Sequence, residues 1–189
     1  MCVLPYEFYN RDTRIVGREL LGKLLVNEST AGIIVETESY MGENDPASHA
    51  ARKKTPRNSV MFGSSGVSYV YFIYGNHYCF NVVAHKDNIA GAVLIRAVEP
   101  SLNTGLMIKR RKINDIKNLT NGPGKLTQAL GINKKHNGIT LLKGGLYIKD
   151  TGLKVKNTAK SSRIGIKEGT ELLYRYYIKG NPFVSGKKS

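Results

Sequence analysis

The chain has 189 residues, of which 41% are apolar, and a formal net charge of +15. This length suits one domain with a substantial core, and the apolar fraction excludes an intrinsically disordered protein. No apolar run reaches the roughly 18 residues of a membrane span, and the first residues lack the features of a secretory signal. The two cysteines, Cys2 and Cys79, exclude a disulfide framework and a four-cysteine zinc site. We expect a single cytoplasmic domain over residues 1–189 that uses no metal or other cofactor.

The excess positive charge lies in one half of the chain. Residues 1–100 hold 10 basic and 10 acidic side chains, whereas residues 101–189 hold 19 basic and 4 acidic ones. A surface of this kind attracts polyanions, nucleic acid first and an acidic membrane second. The alternative is a general lysine bias that serves solubility. Charge therefore favours a nucleic-acid partner without naming a substrate.

The first predicted elements are a helix and a strand. Residues 13–26 carry apolar side chains at helical spacing, which predicts an N-terminal helix that packs on the core. The segment AGIIVETESY, residues 31–40, predicts a strand. Residues 41–59 are rich in Gly, Pro, Asn and Asp and predict an ordered loop with short helical turns.

An aromatic hairpin is predicted next. Residues 67–74 and 78–84 are rich in aromatic and β-branched side chains, and Gly75 and Asn76 between them suit a tight turn. Residues 91–100 predict a buried strand that ends at Pro100. This order of elements predicts two strands joined by a protruding turn, followed by a third strand.

The remaining elements complete an α+β fold. Residues 100–115 predict a basic helix, and residues 122–132 predict a loop that leads into a short helix. Residues 146–150 and 175–180 predict late strands. We therefore expect a mixed, largely antiparallel central sheet with flanking helices and a protruding β-hairpin.

The first strand carries two carboxylates and a tyrosine on one predicted face. Because side chains alternate along a strand, one face holds Ile34, Glu36, Glu38 and Tyr40, and the other holds Ile33, Val35, Thr37 and Ser39. A solvated face would explain the glutamates, but apolar neighbours on both faces indicate a central strand. An acid there is costly unless it is paired or used in catalysis. Spacing alone leaves the choice between Glu36 and Glu38 open.

The hairpin supplies four tyrosines within ten residues: Tyr69, Tyr71, Tyr74 and Tyr78. The alternative is a packed aromatic core, which is the commoner fate of such runs. Tyr74, however, directly precedes the turn glycine, where a large ring projects outward. On a basic protein this suggests a wedge that enters a base stack. Tyr40 and Tyr71 then provide faces that could hold an extruded base.

Several long segments occur in an order that resembles a known family. They are IVETESY, HAARKKTPRNSVMF, YVYFIYG, AVLIRAVEP, GPGKLTQALGI and YIKGNPFVS. Together they resemble the alkyladenine (3-methyladenine) DNA glycosylases, the vertebrate-type enzymes with bacterial homologues, from about Leu20 to Ser185. The resemblance implies a monomeric, monofunctional base-excision repair enzyme that needs no cofactor. It flips a damaged purine out of duplex DNA and hydrolyses its N-glycosidic bond.

The resemblance also implies site residues. Glu38 matches the catalytic base and Arg96 matches the arginine beside the attacking water. The substrate-binding matches are Tyr40 and Tyr71 as stacking rings, His49 on the pocket wall, Asn81 at the floor and Ile164, whose backbone carbonyl helps to position the water. Tyr74 matches the wedge. Expected substrates are 3-methyladenine, 7-methylguanine, hypoxanthine and ethenoadenine.

The basic residues of the segment 101–189 are one candidate for phosphate contacts. The loop KKTPRN is a second, through Lys53, Thr55 and Arg57, because such side chains on a loop can bind a DNA backbone.

The hairpin tip departs from the family pattern. Asn76 and His77 stand where relatives often carry a methionine and an aromatic residue.

Other interpretations remain open from the residues alone. Glu36, Glu38 and Asp45 could bind Mg²⁺ in a nuclease. A non-catalytic RNA-binding module would use the aromatics and lysines without turnover. A lysine nucleophile would make a glycosylase bifunctional, and a zinc deaminase lacks its cysteine pair. Taken singly, His49 is an ordinary loop histidine, and Arg96 would pair with Glu99.

Overall fold

The computed structural model describes residues 2–86 and 89–186. Four helices are present in this part of the chain: α1 Tyr6–Tyr9, α2 Thr13–Glu19, α3 Thr104–Arg111 and α4 Pro123–Leu130. The strands are β1 Leu24–Asn27, β2 Thr30–Tyr40, β3 Ser68–Ile73, β4 His77–Val83, β5 Ala92–Leu102, β6 Leu146–Lys149, β7 Thr158–Ser161 and β8 Arg175–Ile178. Three short 3₁₀ turns lie at Ser59–Phe62, Ile116–Asn118 and Lys134–His136.

One antiparallel sheet organises the molecule, in the order β3-β4-β5-β2-β1-β6. The central strand β2 pairs with β5 along one edge. Along its other edge it pairs first with β1 and then, over Glu36–Glu38, with β8. Strand β7 pairs with β8. The predicted α+β class and the central position of β2 are confirmed, so its glutamates lie between strands on both sides.

The predicted N-terminal helix is wrong in its second half. Helix α2 ends at Glu19, and Leu24–Asn27 form β1 instead. Gly22 has a φ of +82°, a conformation that ends a helix and turns the chain into the sheet. A short apolar run such as LLV fits either element by spacing alone, and the pairing of β1 with both β2 and β6 decides for a strand.

The other predicted elements are found with shifted ends. The hairpin, the basic helix, the short helix α4 and the late strands β6 and β8 are confirmed. Strand β5 runs on to Leu102 rather than ending at Pro100. Pro100 lies opposite Gly32 next to a register irregularity, where a missing backbone N–H is tolerated. Helix α1 and strand β7, each of four residues, were not predicted.

The two faces of the sheet have different coverings. The main core lies between the sheet and the helices; its largest buried members include Leu20, Phe80, Ile95, Met107, Leu126 and Leu130. On the opposite face a smaller cluster joins Ala50 and Met61 of the loop after β2 to Tyr69 of β3. The helices therefore close one face of the sheet, and loops cover the other. No helix in the described ranges is long and apolar enough to cross a membrane.

Three register shifts interrupt the pairing of β2 with β5, and two of them are β-bulges on either side of Glu36. Val35 is an extra residue in β2, because its neighbours Ile34 and Glu36 lie opposite consecutive residues of β5. Arg96 is an extra residue in β5, because its own neighbours lie opposite Glu36 and Thr37. Bulges of this kind bend a strand and redirect side chains. Here they bring the Glu36 carboxylate within hydrogen-bond distance of the Arg96 guanidinium, at 3.2 Å.

The bulge in β2 corrects one part of the predicted alternation. The three polar side chains predicted to share a face do so: Glu36, Glu38 and Tyr40. Ile34 was predicted on that face, but it packs in the main core instead. Val35 was predicted on the other face, and it packs beside Phe183 in a separate small cluster. One extra residue moves the apolar start of the strand to the opposite side.

Candidate active site

A cavity of about 480 Å³ opens on the loop-covered face of the sheet. It lies between the hairpin β3–β4, the loop after β2, the start of α4 and residues 164–166. The predicted residues that line it are Tyr40, His49, Tyr71, Tyr74, Asn81, Arg96 and Ile164. The lining residues that were not predicted include Met61, Tyr69, Ile73, Cys79, Leu94, Pro123, Lys125 and Ile166. This volume lies within the range of small-molecule binding sites.

Glu38 is fully buried directly behind the cavity wall. Its Oε2 accepts a hydrogen bond from the Tyr40 hydroxyl at 2.8 Å and one from Nη1 of Arg96 at 3.3 Å. Its Oε1 accepts a hydrogen bond from the backbone N–H of Ile164 at 2.7 Å. All three donors belong to residues that line the cavity. The carboxylate is therefore held in one orientation by the wall of the cavity itself.

The Tyr40 hydroxyl and the Arg96 guanidinium both keep the protons with which they bond to Glu38. Burial raises the pKa of Tyr40 well above its ordinary value, and the charge of Glu38 raises it further, so the hydroxyl remains a donor. Burial alone lowers the pKa of Arg96, but the charges of Glu38 and Glu36 outweigh burial and raise it. Arg96 pairs with these two glutamates and not with Glu99, which instead accepts from Asn181.

Glu36 has a full set of partners, and two of its three partner residues, Arg175 and Ser185, do not line the cavity. Its Oε1 accepts from Nε of Arg175 at 2.6 Å, from Nε of Arg96 at 3.2 Å and from the Ser185 hydroxyl at 2.9 Å. Its Oε2 accepts from the backbone N–H of Ser185 at 2.6 Å. The contacts of Glu36 and Glu38 thus distinguish the two glutamates, which spacing in the sequence alone did not. Glu36 is saturated by structural partners, whereas Glu38 bonds to the cavity wall.

The aromatic wall is built from the hairpin and the loop after β2. The His49 ring lies edge-on to Tyr71, with 4.8 Å between centroids, and its Nδ1 is 3.0 Å from the Tyr69 hydroxyl. Burial, together with the positive charge of Arg57, lowers the pKa of His49. Burial raises the pKa of Tyr69 to about 12. A neutral histidine and neutral tyrosines therefore face the cavity, where their polar groups can donate or accept hydrogen bonds without carrying a charge.

Asn81 is buried in the floor of the cavity. Its Nδ2 donates to the backbone carbonyl of Tyr69 at 3.0 Å. This bond uses one of the two N–H donors, so the side-chain oxygen and the second N–H remain available to a ligand. Cys79 lies next to Asn81 in the same lining, and burial raises the pKa of its thiol.

Tyr74 stands at the tip of the hairpin with 83% of its surface exposed. Its φ is +53°, a left-handed conformation that is unusual for an aromatic residue, and Gly75 follows with a φ of +70°. Two consecutive positive φ values are typical of the tight hairpin turns that match strand twist. His77 then packs on α4, because a side chain at Gly124 would come within 2.8 Å of the His77 ring. The tip thus presents an unsupported ring beside the cavity mouth.

The loop that contains Lys53, Thr55 and Arg57 is fastened by an unpredicted residue, Asn58. Its Nδ2 donates to the carbonyls of His49 at 2.6 Å and Lys53 at 2.9 Å, and its Oδ1 accepts from the backbone N–H of Thr55 at 2.6 Å. Lys53 and Arg57 are exposed. The Arg57 guanidinium also lies over the Tyr71 ring at 5.1 Å. The predicted phosphate-contact loop therefore borders the aromatic wall.

Arg163 and Asp45 form a buried ion pair next to the site, and this pair was not predicted from the sequence. Arg163 Nη1 and Nη2 donate to the two oxygens of Asp45, at 2.5 and 2.7 Å. Asp45 is thus engaged by an arginine, as are Glu36 and Glu38. Within residues 2–86 and 89–186 no group of three or more His, Cys, Asp or Glu side chains is placed to hold a metal ion. The carboxylates considered for a nuclease therefore form arginine pairs in this structure.

The chain is similar to known proteins along nearly its whole length. It matches the family model described as methylpurine-DNA glycosylase over residues 7–182. A protein of Prosthecochloris aestuarii is 47% identical over 185 residues, which cover 95% of this chain and 89% of that relative. One of Carboxydothermus hydrogenoformans is 48% identical over 191 residues, covering 98% and 100%. One of Koribacter versatilis is 44% identical over 194 residues, covering 98% and 94%.

All three relatives carry the provisional name 3-methyladenine DNA glycosylase. The matched region contains every predicted site residue, from Glu38 to Ile164. The resemblance to the alkyladenine glycosylases is confirmed by this match. The chain belongs to the methylpurine-DNA glycosylase family, and is therefore an enzyme of DNA repair that acts on DNA.

Proposed function

We propose that this protein is a monofunctional glycosylase that flips an alkylated or deaminated purine out of duplex DNA and hydrolyses its N-glycosidic bond with water activated by Glu38. One observation carries the proposal. The buried Glu38 carboxylate is bonded to three groups of the wall of an aromatic-lined cavity, those of Tyr40, Arg96 and Ile164. A nucleotide whose purine enters this cavity would bring the anomeric carbon of its sugar toward that carboxylate.

The cavity suits an extruded purine. Tyr40 and Tyr71 offer ring faces for stacking, and an N3- or N7-alkylated purine is cationic, so aromatic faces attract it. Asn81 and His49 face the edge of the base, where Asn81 would reject the exocyclic amino group of normal guanine by steric conflict. The proposed substrates are 3-methyladenine, 7-methylguanine, hypoxanthine and ethenoadenine. The relatives named above are called 3-methyladenine DNA glycosylases, which supports the first of these.

The chemistry needs one base and one counter-charge. As the glycosidic bond breaks, its electron pair leaves with the purine, and positive charge develops on the sugar. The Glu38 carboxylate stabilises this charge and takes a proton from the water whose oxygen bonds to the anomeric carbon. General base catalysis of this kind contributes roughly 10²–10⁴-fold.

Arg96 would hold the attacking water beside Glu38. The contact between Glu38 and Arg96, at 3.3 Å, is the longest of the three that hold the carboxylate. It is therefore the contact that would lengthen most readily to admit a water, with Arg96 as the hydrogen-bond donor to that water. An alkylated purine leaves readily, whereas a neutral base such as hypoxanthine needs a hydrogen-bond donor as it leaves.

Binding to duplex DNA would rest on the tip and the loop beside the cavity. Tyr74 would fill the gap left by the flipped nucleotide, at the price of partial unstacking. Lys53, Thr55 and Arg57 would contact phosphates, supported by the basic side chains of residues 101–189. We propose that the protein works in the cytoplasm as a monomer, with one domain over residues 1–189, and without metal or cofactor.

A single-turnover assay tests the proposal. Duplex DNA with one hypoxanthine, or one 7-methylguanine, is incubated with excess protein in EDTA, and the free base is measured. Strand breaks are measured with and without alkali. Glu38→Gln removes the proposed base. Glu99→Gln is the matched control, because Glu99 lies on the neighbouring strand and contacts Asn181 instead of the cavity.

We expect wild type and Glu99→Gln to release base in EDTA, Glu38→Gln to lose at least about 100-fold, and strands to break only after alkali. Full activity of Glu38→Gln would reject Glu38 as the base. Strand breaks without alkali would indicate a lyase, and metal-dependent cutting would indicate a nuclease. Salt-sensitive binding without release from any lesion would indicate a non-catalytic binder.

A further inference from the structure

The Arg163 guanidinium lies between two aromatic rings. Its Cζ is 4.7 Å from the centroid of the Tyr40 ring and 5.4 Å from that of Tyr174. Its side chain is fully buried, and so is that of its partner Asp45. Nη1 also donates to the backbone carbonyl of Ser39 at 3.0 Å. Since stacking and hydrogen bonds fix the guanidinium plane, its positive charge has a defined place against Tyr40.

This charge lies on the side of Tyr40 that faces away from the cavity. Tyr40 lines the cavity and so does Ile164, the residue after Arg163, whereas the fully buried Arg163 side chain does not line it. One face of the Tyr40 ring is therefore turned to the cavity, and the other is covered by a cation. The ring that would stack on a flipped base is already in contact with a positive charge.

The net effect of this charge depends on Asp45. Burial alone lowers the pKa of Arg163, but the hydrogen bonds and charge of Asp45 raise it, so the guanidinium stays protonated. Asp45 is held by the backbone N–H groups of Met41 at 3.0 Å and Ala47 at 3.2 Å. Its negative charge compensates the guanidinium without removing it from the ring. The two residues therefore set opposite contributions to the potential behind Tyr40.

We propose that Arg163, balanced by Asp45, is a positioning residue that sets the preference of the cavity between cationic and neutral purine lesions. An aromatic face attracts a cation through the negative potential of its ring, and a second cation on the far face weakens that attraction. A neutral purine stacks by dispersion and area, which the charge behind the ring changes much less. The inference rests on the proposed function, since it assumes that Tyr40 stacks on the extruded base.

Two variants separate this electrostatic role from a structural one. Asp45→Asn breaks the ion pair but keeps the guanidinium charge behind Tyr40. Asp45→Asn combined with Arg163→Gln breaks the same ion pair and removes both charges. The two proteins differ only at position 163, so each is the control for the other. Duplexes that carry one 7-methylguanine, which is cationic, or one hypoxanthine, which is neutral, are compared in single-turnover excision.

The measured quantity is the ratio of the 7-methylguanine rate to the hypoxanthine rate, relative to wild type. We expect this ratio to fall about three- to tenfold in Asp45→Asn and to rise by a similar factor in the double variant, as a change in one cation–π contact implies. A ratio that moves in the same direction in both variants, or in neither, would overturn the inference. Thermal unfolding of each variant shows whether it is folded under the assay conditions.

The outcomes also separate this inference from the proposed function. If wild type releases neither base, the proposed function fails before any variant is compared. If wild type is active and both variants lose both rates in equal proportion, Arg163 serves only the fold, and the inference alone is rejected. Should the double variant not fold, Asp45→Asn decides by itself, because an unchanged or increased ratio there contradicts an uncompensated charge behind Tyr40.

Discussion

The Nε atom of Arg96 lies 3.2 Å from Oε1 of Glu36, on a strand pair in which the arginine is an inserted, bulged residue. The opposite end of the same guanidinium reaches Glu38 at 3.3 Å. Glu36 thereby anchors the group that we propose to orient the attacking water. Because Glu36 itself is fully buried and is bonded to Arg175, its charge is part of the framework of the site.

Glu36→Gln should therefore destabilise the protein as well as slow it. The substitution leaves Arg175 without its carboxylate partner and Arg96 with Glu38 alone, and breaking a buried pair in this way costs about 3 kcal/mol. The free energy of unfolding from urea titration measures this cost. Glu99→Gln, which keeps an acceptor for Asn181, should stay within about 0.5 kcal/mol of wild type. An unchanged unfolding midpoint in Glu36→Gln would contradict the anchoring role.

Tyr74 should matter for duplex DNA and not for folding. The ring is 83% exposed and its φ is +53°, so Tyr74→Gly removes no core contact and relieves a strained backbone. We expect the unfolding free energy to stay the same or to rise by up to about 1 kcal/mol. Excision from duplex DNA should fall at least about tenfold, as expected for loss of a wedge. Equal excision by variant and wild type would argue against a wedge.

Gly124 should resist substitution because of His77. Ala normally favours a helix over Gly by about 1 kcal/mol, yet a Cβ at position 124 would lie 2.8 Å from Cγ of His77. We expect Gly124→Ala to lower the thermal midpoint, and the added change His77→Ala to restore or exceed the wild-type value. A stabilising single substitution would show that the hairpin moves aside at no cost.

Acid should lower the free energy of unfolding through protonation of His49. Burial and the charge of Arg57 hold the pKa of His49 below its usual value near 6.5, so the unfolded chain binds a proton that the folded protein resists. Stability is thus lost as the pH falls below about 6.5, until the folded pKa is reached. Unfolding free energies at pH 7.5 and 5.5 should differ more in wild type than in His49→Gln. Equal differences would place the acid sensitivity elsewhere.

The loop beside the cavity should contribute to the salt dependence of DNA binding. If Lys53 contacts one phosphate, Lys53→Ala lowers the slope of log K against log salt by about 0.9. Binding of lesion-containing duplex by Glu38→Gln, measured from 50 to 300 mM salt by fluorescence anisotropy, gives this slope. Lys149→Ala, on the strand at the other end of the sheet order, is the control and should leave the slope unchanged.

Local features of the sequence were enough to predict the strand that carries Glu36, Glu38 and Tyr40. Strand alternation depends only on neighbouring residues, and the prediction held for these three side chains. It failed at Ile34, because the bulge at Val35 arises from pairing with β5, more than fifty residues away in the chain. The helix predicted over residues 13–26 failed for a similar reason, since pairing with β2 and β6 turned Leu24–Asn27 into a strand.

The sequence by itself determined the α+β class, the basic character of the second half, the hairpin with Tyr74 at its turn, and, through family resemblance, the residues around the cavity. These depend on composition, on short-range periodicity and on motifs that lie within a few residues. Only the tertiary structure decided that Glu38 bonds to the cavity wall while Glu36 is saturated by Arg175 and Ser185, and that Arg163 stacks behind Tyr40. Asp45 and Arg163 are 118 residues apart, and no local pattern records a contact that chain folding alone creates.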